Sequence, residues 1–194
     1  MNHRRRRHED DPLSEPSPTP SEPLEAADLV LLLLQADAPG QEAGRLHGIT
    51  RLEKLLFLAT QEERADLEVE NPFPFIAYDY GPYSKEIYEA VEVLEKADLL
   101  EETRVSSTAS LDEMEEVAAV DADTEGVERR FRLTRQGLAV AEYLAHQHPE
   151  AAGKVQRVKE RYGTLPLRRL IQYVYSNYPD YAKASVIRDE VLGY

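Results

Sequence analysis

The longest uninterrupted apolar run in the chain, Leu29–Leu34, lies inside a segment, Leu24–Gln35, whose periodicity reads as a helix that is apolar on most sides. Such a helix has to be covered on most sides. Six residues fall far short of the roughly 18 apolar residues that a membrane span needs, so the cover has to come from the rest of the chain. Asp37-Ala38-Pro39-Gly40 ends the helix.

The covering elements can be read from their spacing. Leu52, Leu55, Leu56 and Ala59 line one face of a second helix, and Thr50 with Glu53 three residues on has the spacing of a capping box at its start. Phe73–Tyr80 is rich in aromatics and reads as a short extended segment, closed by a turn at Gly81-Pro82. Ser84 is placed to cap a third helix with Ile87, Ala90, Val91 and Leu94 on its buried side, while Glu86, Glu89, Glu92 and Glu95 recur every third residue on the wetter side. Leu99–Ser106 and Glu128–Leu133 alternate apolar and polar residues, which predicts two antiparallel strands. Thr134 then caps a helix with Leu138, Val140, Ala141 and Leu144. Further helices are expected at about Glu150–Tyr162, Leu167–Asn177 and Ala182–Leu192.

Two segments stand outside this pattern. Residues 1–23 carry Arg4–Arg7 and then a Pro/Ser-rich run, with almost nothing to bury, and read as a disordered arm. The four arginines suit a solvated tail first and a phosphate-seeking arm second. Ser107–Glu128 holds eight acids and no base. It reads as a long, mobile acidic loop (107–127) joining the two strands. The remainder, residues 24–194, is expected to form one domain.

Composition narrows function by exclusion. The net charge is −14, from 37 acidic and 23 basic residues. That balance disfavours general nucleic-acid binding, although a basic face can sit inside an acidic total. Its bases are mostly arginine, and many acids with few lysines also suit a salty cell interior. Without cysteine the chain has no disulfide, thiolate nucleophile or cysteine zinc site, which fits a reducing compartment. Arg4–Arg7 lead into acids rather than an apolar segment, so no export signal is read and the expected location is the cytoplasm, with no membrane partner. There is no phosphate loop of the Gly-x-x-x-x-Gly-Lys type and no nucleophile elbow. His146 and His148 lack a third ligand at a recognisable spacing and suit a helix end instead. No enzyme activity, cofactor or metal is expected.

The order helix, helix, extended segment, helix, strand, loop, strand, helix is that of a winged helix-turn-helix. A helix ending in Leu94-Glu95-Lys96-Ala97-Asp98-Leu99-Leu100, then a hairpin and a Leu133-Thr134-x-x-Gly137 step, resembles the wing of many bacterial and archaeal regulators. The runs Ile49–Ala59 and Tyr80–Tyr88 resemble the YwgA family and the related SocA-like antitoxin domain, Panacea. Leu167–Ile187 is similar to the tail of the YwgA group. The resemblance implies a helical prokaryotic domain without cofactor or known reaction and, in the antitoxin branch, a protein partner such as a toxin. The acidic loop and the arginine arm have no counterpart in that pattern.

The fold class expected is thus mainly α with a small antiparallel β wing, a winged helix-turn-helix-like core plus C-terminal helices. The tyrosine-rich turn supplies the candidate partner-binding residues Tyr78, Tyr80, Gly81, Pro82, Tyr83, Ser84 and Tyr88, because tyrosine gives contact area and a hydroxyl at small entropic cost. A second cluster, Tyr173, Tyr175, Tyr178 and Tyr181, leaves the alternative that the two clusters pack on each other as a half-polar core. Lys154, Arg157, Lys159, Arg161, Arg168 and Arg169 are candidate contacts to phosphate or to an acidic partner, with solvated or intramolecular roles as the alternative. The leading expectation is an antitoxin-like or adaptor-like module that binds protein. Its rival is a DNA-binding transcriptional regulator, against which the acidic third helix counts, since a reading helix should carry Arg, Lys, Asn or Gln.

Overall fold

The computed structural model describes residues 23–62, 72–106 and 127–193. The arginine arm and the acidic loop therefore lie outside the described residues, apart from Pro23 and Val127 at their edges. The described chain is mainly helical, with one three-stranded antiparallel sheet and one two-stranded hairpin.

Helix α1, Ala26–Gln35, buries every residue from Leu29 to Leu34, as its all-round apolarity requires. Strand β1, Arg45–His47, leads into α2, Ile49–Glu62, and the hairpin strands β2, Ile76–Tyr78, and β3, Gly81–Tyr83, lead into α3, Lys85–Lys96. Strands β4, Leu100–Ser106, and β5, Val127–Leu133, pair in register from Leu100↔Leu133 to Ser106↔Val127. Helices α4, Arg135–Gln147, α5, Pro149–Tyr162, and α6, Leu167–Asn177, follow, with short helices α7, Pro179–Ala182, and α8, Arg188–Leu192. Helix α1 packs against α2, α3, α4 and α5 and touches both β1 and β5.

The expected pairing of the two long strands is present. β5 also pairs on its other side with β1, giving the order β1-β5-β4. Helix α3 ends where Asp98 takes a left-handed φ of 57°, while Leu99 N donates back to Leu94 O, a reversal that meets the last carbonyls of the helix. Thr134 caps α4 as expected, accepting from Gly137 N at 3.0 Å, and its own hydroxyl donates to Asp98 O at 2.7 Å. Gly137 lies so close to this corner that a Cβ there would sit 1.9 Å from Leu99 O. The Leu-Thr-x-x-Gly step is thus a clasp that fixes α4 against the end of α3.

Other expectations need correcting. Helix α2 starts at Ile49, directly after Gly48 (φ 88°), so Thr50 lies inside it rather than capping it. Gly81-Pro82 is not the turn after the aromatic segment but the start of a strand: Tyr78 pairs with Gly81, and Asp79 and Tyr80 make the turn. Ser84 stands at the N-cap of α3 without a capping bond, its hydroxyl donating to Glu86 at 2.6 Å. The last expected helix is two short ones, α7 and α8.

Two basic side chains close helix ends internally. Lys159, fully buried, donates to Leu34 O at 2.9 Å and so meets the C-terminus of α1, a favourable place for a cation. Burial lowers its pKa to about 8, against the opposing pull of Asp37. Arg51 donates to Gly163 O and Leu165 O at 3.0 and 2.7 Å, beyond the end of α5.

Candidate partner-binding surface

The β2–β3 hairpin is held from several directions. From α2, the buried Lys54 ammonium donates to Pro82 O at 3.0 Å and lies 3.4 Å from the Glu53 carboxylate. From below, Tyr175 of α6 fills the space under Gly81, whose φ is +95° and whose missing Cβ would be 2.7 Å from the Tyr175 ring. Glycine is required there both by backbone and by room. From the C-terminal segment, Val186 N and the Ser185 hydroxyl both donate to Asp79 O at 3.0 Å. The Tyr175 hydroxyl lies 2.7 Å from that of Ser185. Burial pushes the Tyr175 phenol up to about 12.

On this fixed base the rings of Tyr78, Tyr83 and Tyr88 form a ladder, with centroids 5.1 and 5.5 Å apart. The Arg129 guanidinium continues it, 5.5 Å from the Tyr88 ring and equally far from Phe131. Arg129 is held by Glu102, whose carboxylate also takes the Arg104 Nε at 2.8 Å. Burial alone would raise the Glu102 carboxyl. The hydrogen bonds and charges of Arg129 and Arg104 outweigh it and hold the carboxyl below its ordinary value. At the outer end of the ladder Ile76 and Tyr78 are 55% and 51% exposed.

Of the expected partner-binding residues, Tyr78, Tyr83 and Tyr88 therefore come together along one surface. Pro82, Gly81 and Ser84 are buried beneath it, and Tyr80 is half-buried against the core. The two tyrosine clusters part company: Tyr178 and Tyr181 pack on Phe57, with centroids 5.0 and 4.8 Å away, and Tyr173 joins Tyr162 and Glu62 in a hydrogen-bonded group. They meet where Tyr175 lies under Gly81. Reading the sequence alone missed Ile76, Glu102 and Arg129. Alternation along β5 put Arg129 on the same side as Phe131 and Leu133, and that was the available signal.

The expected basic patch is not one surface. Lys154 and Lys159 are buried, which removes them as contacts to an outside phosphate. Arg157, Arg161, Arg168 and Arg169 are exposed. Arg161 stacks over Tyr162, Arg168 bonds Glu190, and Arg169 bonds Gln172. The outward side of α3 carries Glu89 and Glu92, paired with Lys85 and Lys96, beside Val93 at 57% exposure. His146 and His148 sit at the end of α4. Among the described residues no group of three His, Cys, Asp or Glu is arranged to hold a metal ion, and no helix is long and apolar enough to cross a membrane. No protein-family model and no curated protein matches the chain.

Proposed function

We propose that this chain is a non-enzymatic binding module of the antitoxin or adaptor kind, which captures a protein partner through the Tyr78–Tyr83–Tyr88 ladder and its Arg129 extension. The observation that carries the reading is the ladder itself: the exposed Tyr78 and half-buried Tyr83 on a hairpin fixed from three sides, continued by the half-buried Tyr88 of α3 and the Arg129 guanidinium of β5. Tyrosine and arginine dominate binding hot spots, and a surface that is already ordered loses little entropy on association. The resemblance to the YwgA family and the Panacea antitoxin domain points the same way. The three runs behind it meet in space, since Lys54 bonds Pro82, Tyr175 lies under Gly81, and Tyr178 and Tyr181 pack on Phe57.

A second reading, a winged-helix regulator of transcription, is favoured by the sheet order β1-β5-β4 with α3 directly before the two long strands. Against it stand the outward carboxylates of α3, which would face phosphates at a cost. The deciding experiment pairs affinity capture with gel shift on wild type, Tyr78→Ala and Tyr83→Ala. Each change should weaken partner capture by about 1–2 kcal/mol, and random duplex DNA should bind poorly at moderate salt. Tight, salt-sensitive DNA binding that survives both substitutions would replace the protein-partner reading with the regulator.

A further inference from the structure

The side of the three-stranded sheet opposite Arg129 and Glu102 carries basic side chains in opposed positions, each with a carboxylate beside it. On β1 and β5 the outward residues stand directly across from one another as Arg45↔Arg132 and His47↔Arg130. Like charges in directly opposed positions destabilise a strand pair. A third such rung, Arg104↔Arg129, is relieved by one buried carboxylate, Glu102, that bonds both guanidinia. The His47↔Arg130 rung is likewise bridged by Glu128, 3.6 Å from His47 and bonded to Arg130; among the described residues the outward Arg45↔Arg132 rung has no such shared carboxylate. Arg45 is paired at 3.3 Å with Glu42, Arg132 with Glu101, and these four side chains are about half exposed or more. Exposed pairs of this kind contribute little and exchange readily.

A cavity of about 390 Å3 opens beside this rung, lined by Gly40, Gln41, Glu42, Arg45, His47 and Arg51 among others. Three of these side chains are basic or protonatable and one is acidic, in a chain whose net charge is −14. Arg51 is fixed in the wall by its bonds to Gly163 O and Leu165 O. The volume lies in the range of small-molecule sites, and a guanidinium fork matches two phosphate oxygens at once.

We propose that this cavity binds the phosphate group of a small phosphorylated ligand, a mono- or diphosphate, with Arg45 and His47 as contacts and Arg132 supplying charge from the neighbouring strand. In this arrangement Glu42 is the group the ligand displaces from Arg45. The site lies across the sheet from the tyrosine ladder, and neither proposal depends on the other.

The test is calorimetric titration of the full chain with inorganic pyrophosphate at low salt, set beside titration with random duplex DNA. Wild type should bind pyrophosphate saturably. Arg45→Ala and Arg132→Ala should each weaken it tenfold or more, Arg45→Lys should lie between, and Glu42→Gln should tighten it several-fold by removing the competing carboxylate. That gain is one a merely structural role for Glu42 would not produce. Far-UV circular dichroism checks each variant, and if the alanine variants fail to fold, Arg45→Lys and Glu42→Gln decide alone. Absence of saturable pyrophosphate binding overturns the proposal, as does binding indifferent to Arg45 and Glu42. DNA binding that needs Arg45 and Arg132 without pyrophosphate binding overturns it in favour of a nucleic-acid backbone.

Discussion

Strands β2 and β3 pair over three rungs and β4 and β5 over seven, yet the shorter ribbon too is anchored by several elements. Helices α2, α6 and α7 all touch β3, and backbone oxygens at Asp79 and Pro82 are fixed by groups from distant parts of the chain. The longer ribbon is fixed at its base, where Leu100, Phe131 and Leu133 enter the core. Farther along, β1 pairs with β5 from Arg130 to Arg132, and between β4 and β5 side chains of opposite charge add to the hold, with Glu102 between Arg129 and Arg104. A ribbon's stability therefore follows from what packs beneath it more than from its count of ladder bonds. The short one can present aromatic rings in a fixed arrangement, and the β4–β5 pairing beyond the core leans in part on electrostatics that salt and pH can reach.

The largest effect should come from the base of the long ribbon. Gly137→Ala would put a methyl 1.9 Å from Leu99 O, a backbone atom that cannot move without opening the α3–α4 corner. A loss of about 4 kcal/mol in urea unfolding is expected. Gly81→Ala, the equivalent blow to the short ribbon, meets a tyrosine ring rather than backbone, at a φ of +95°. It should cost about 2–3 kcal/mol. If Gly81→Ala proved nearly neutral, the tight anchoring of the short ribbon would be wrong.

What the sequence discloses follows the same division. The long ribbon, the cap at Thr134 and the buried faces of α2 and α3 were legible because each repeats a period or a capping spacing over enough residues to register. β1 and β3 span three residues each, too few for alternation to stand out. Gly81-Pro82 has the composition of a turn, and contacts from distant parts of the chain, Tyr175 under Gly81 and Lys54 on Pro82 O, hold it as a strand. Of the ladder, Tyr78, Tyr83 and Tyr88 were visible as a cluster. Arg129 and Glu102 were not, because their pairing depends on a strand register that closes across residues 107–126. Lys154 and Lys159 misled because a lysine in an amphipathic helix is normally solvated, and what buries Lys159 is the carbonyl end of α1.

A smaller effect, sensitive to pH, should separate the two ribbons further. Glu102→Gln keeps the shape and removes the charge that Arg129 and Arg104 share. Because Arg104 is largely exposed, the loss should fall below that of a fully buried pair, at about 1–3 kcal/mol near neutral pH. The folded carboxyl titrates below its ordinary value of 4.5. The unfolded chain thus takes up this proton first as the pH falls, and the contribution of Glu102 is present above about 4.5 and lost as the pH drops through the folded value. Wild type and Glu102→Gln should accordingly converge in stability at acid pH. A constant gap down to pH 3 would mean that the charge is not what holds the long ribbon.

The smallest stability change should be that of Tyr78→Ala, and its smallness is what makes it informative. Tyr78 is half exposed and touches the ladder through Tyr83 at its inner edge, while the hairpin beneath is fixed by Lys54, Tyr175 and Ser185, none of which needs the Tyr78 ring. Removing the ring should therefore shift unfolding by no more than about 0.5 kcal/mol. Tyr83, half-buried between Tyr78 and Tyr88, should cost more when truncated, about 1–2 kcal/mol. Urea unfolding of both variants measures the difference. If Tyr78→Ala destabilised as much as Tyr83→Ala, its ring would be part of what orders the hairpin, and the surface would have to be redrawn with its contact area beginning at Ile76 and its support extending outward. If it is neutral, the hairpin is preorganised without its outermost ring. Any weakening of partner capture by Tyr78→Ala can then be read as lost contact and not as lost structure.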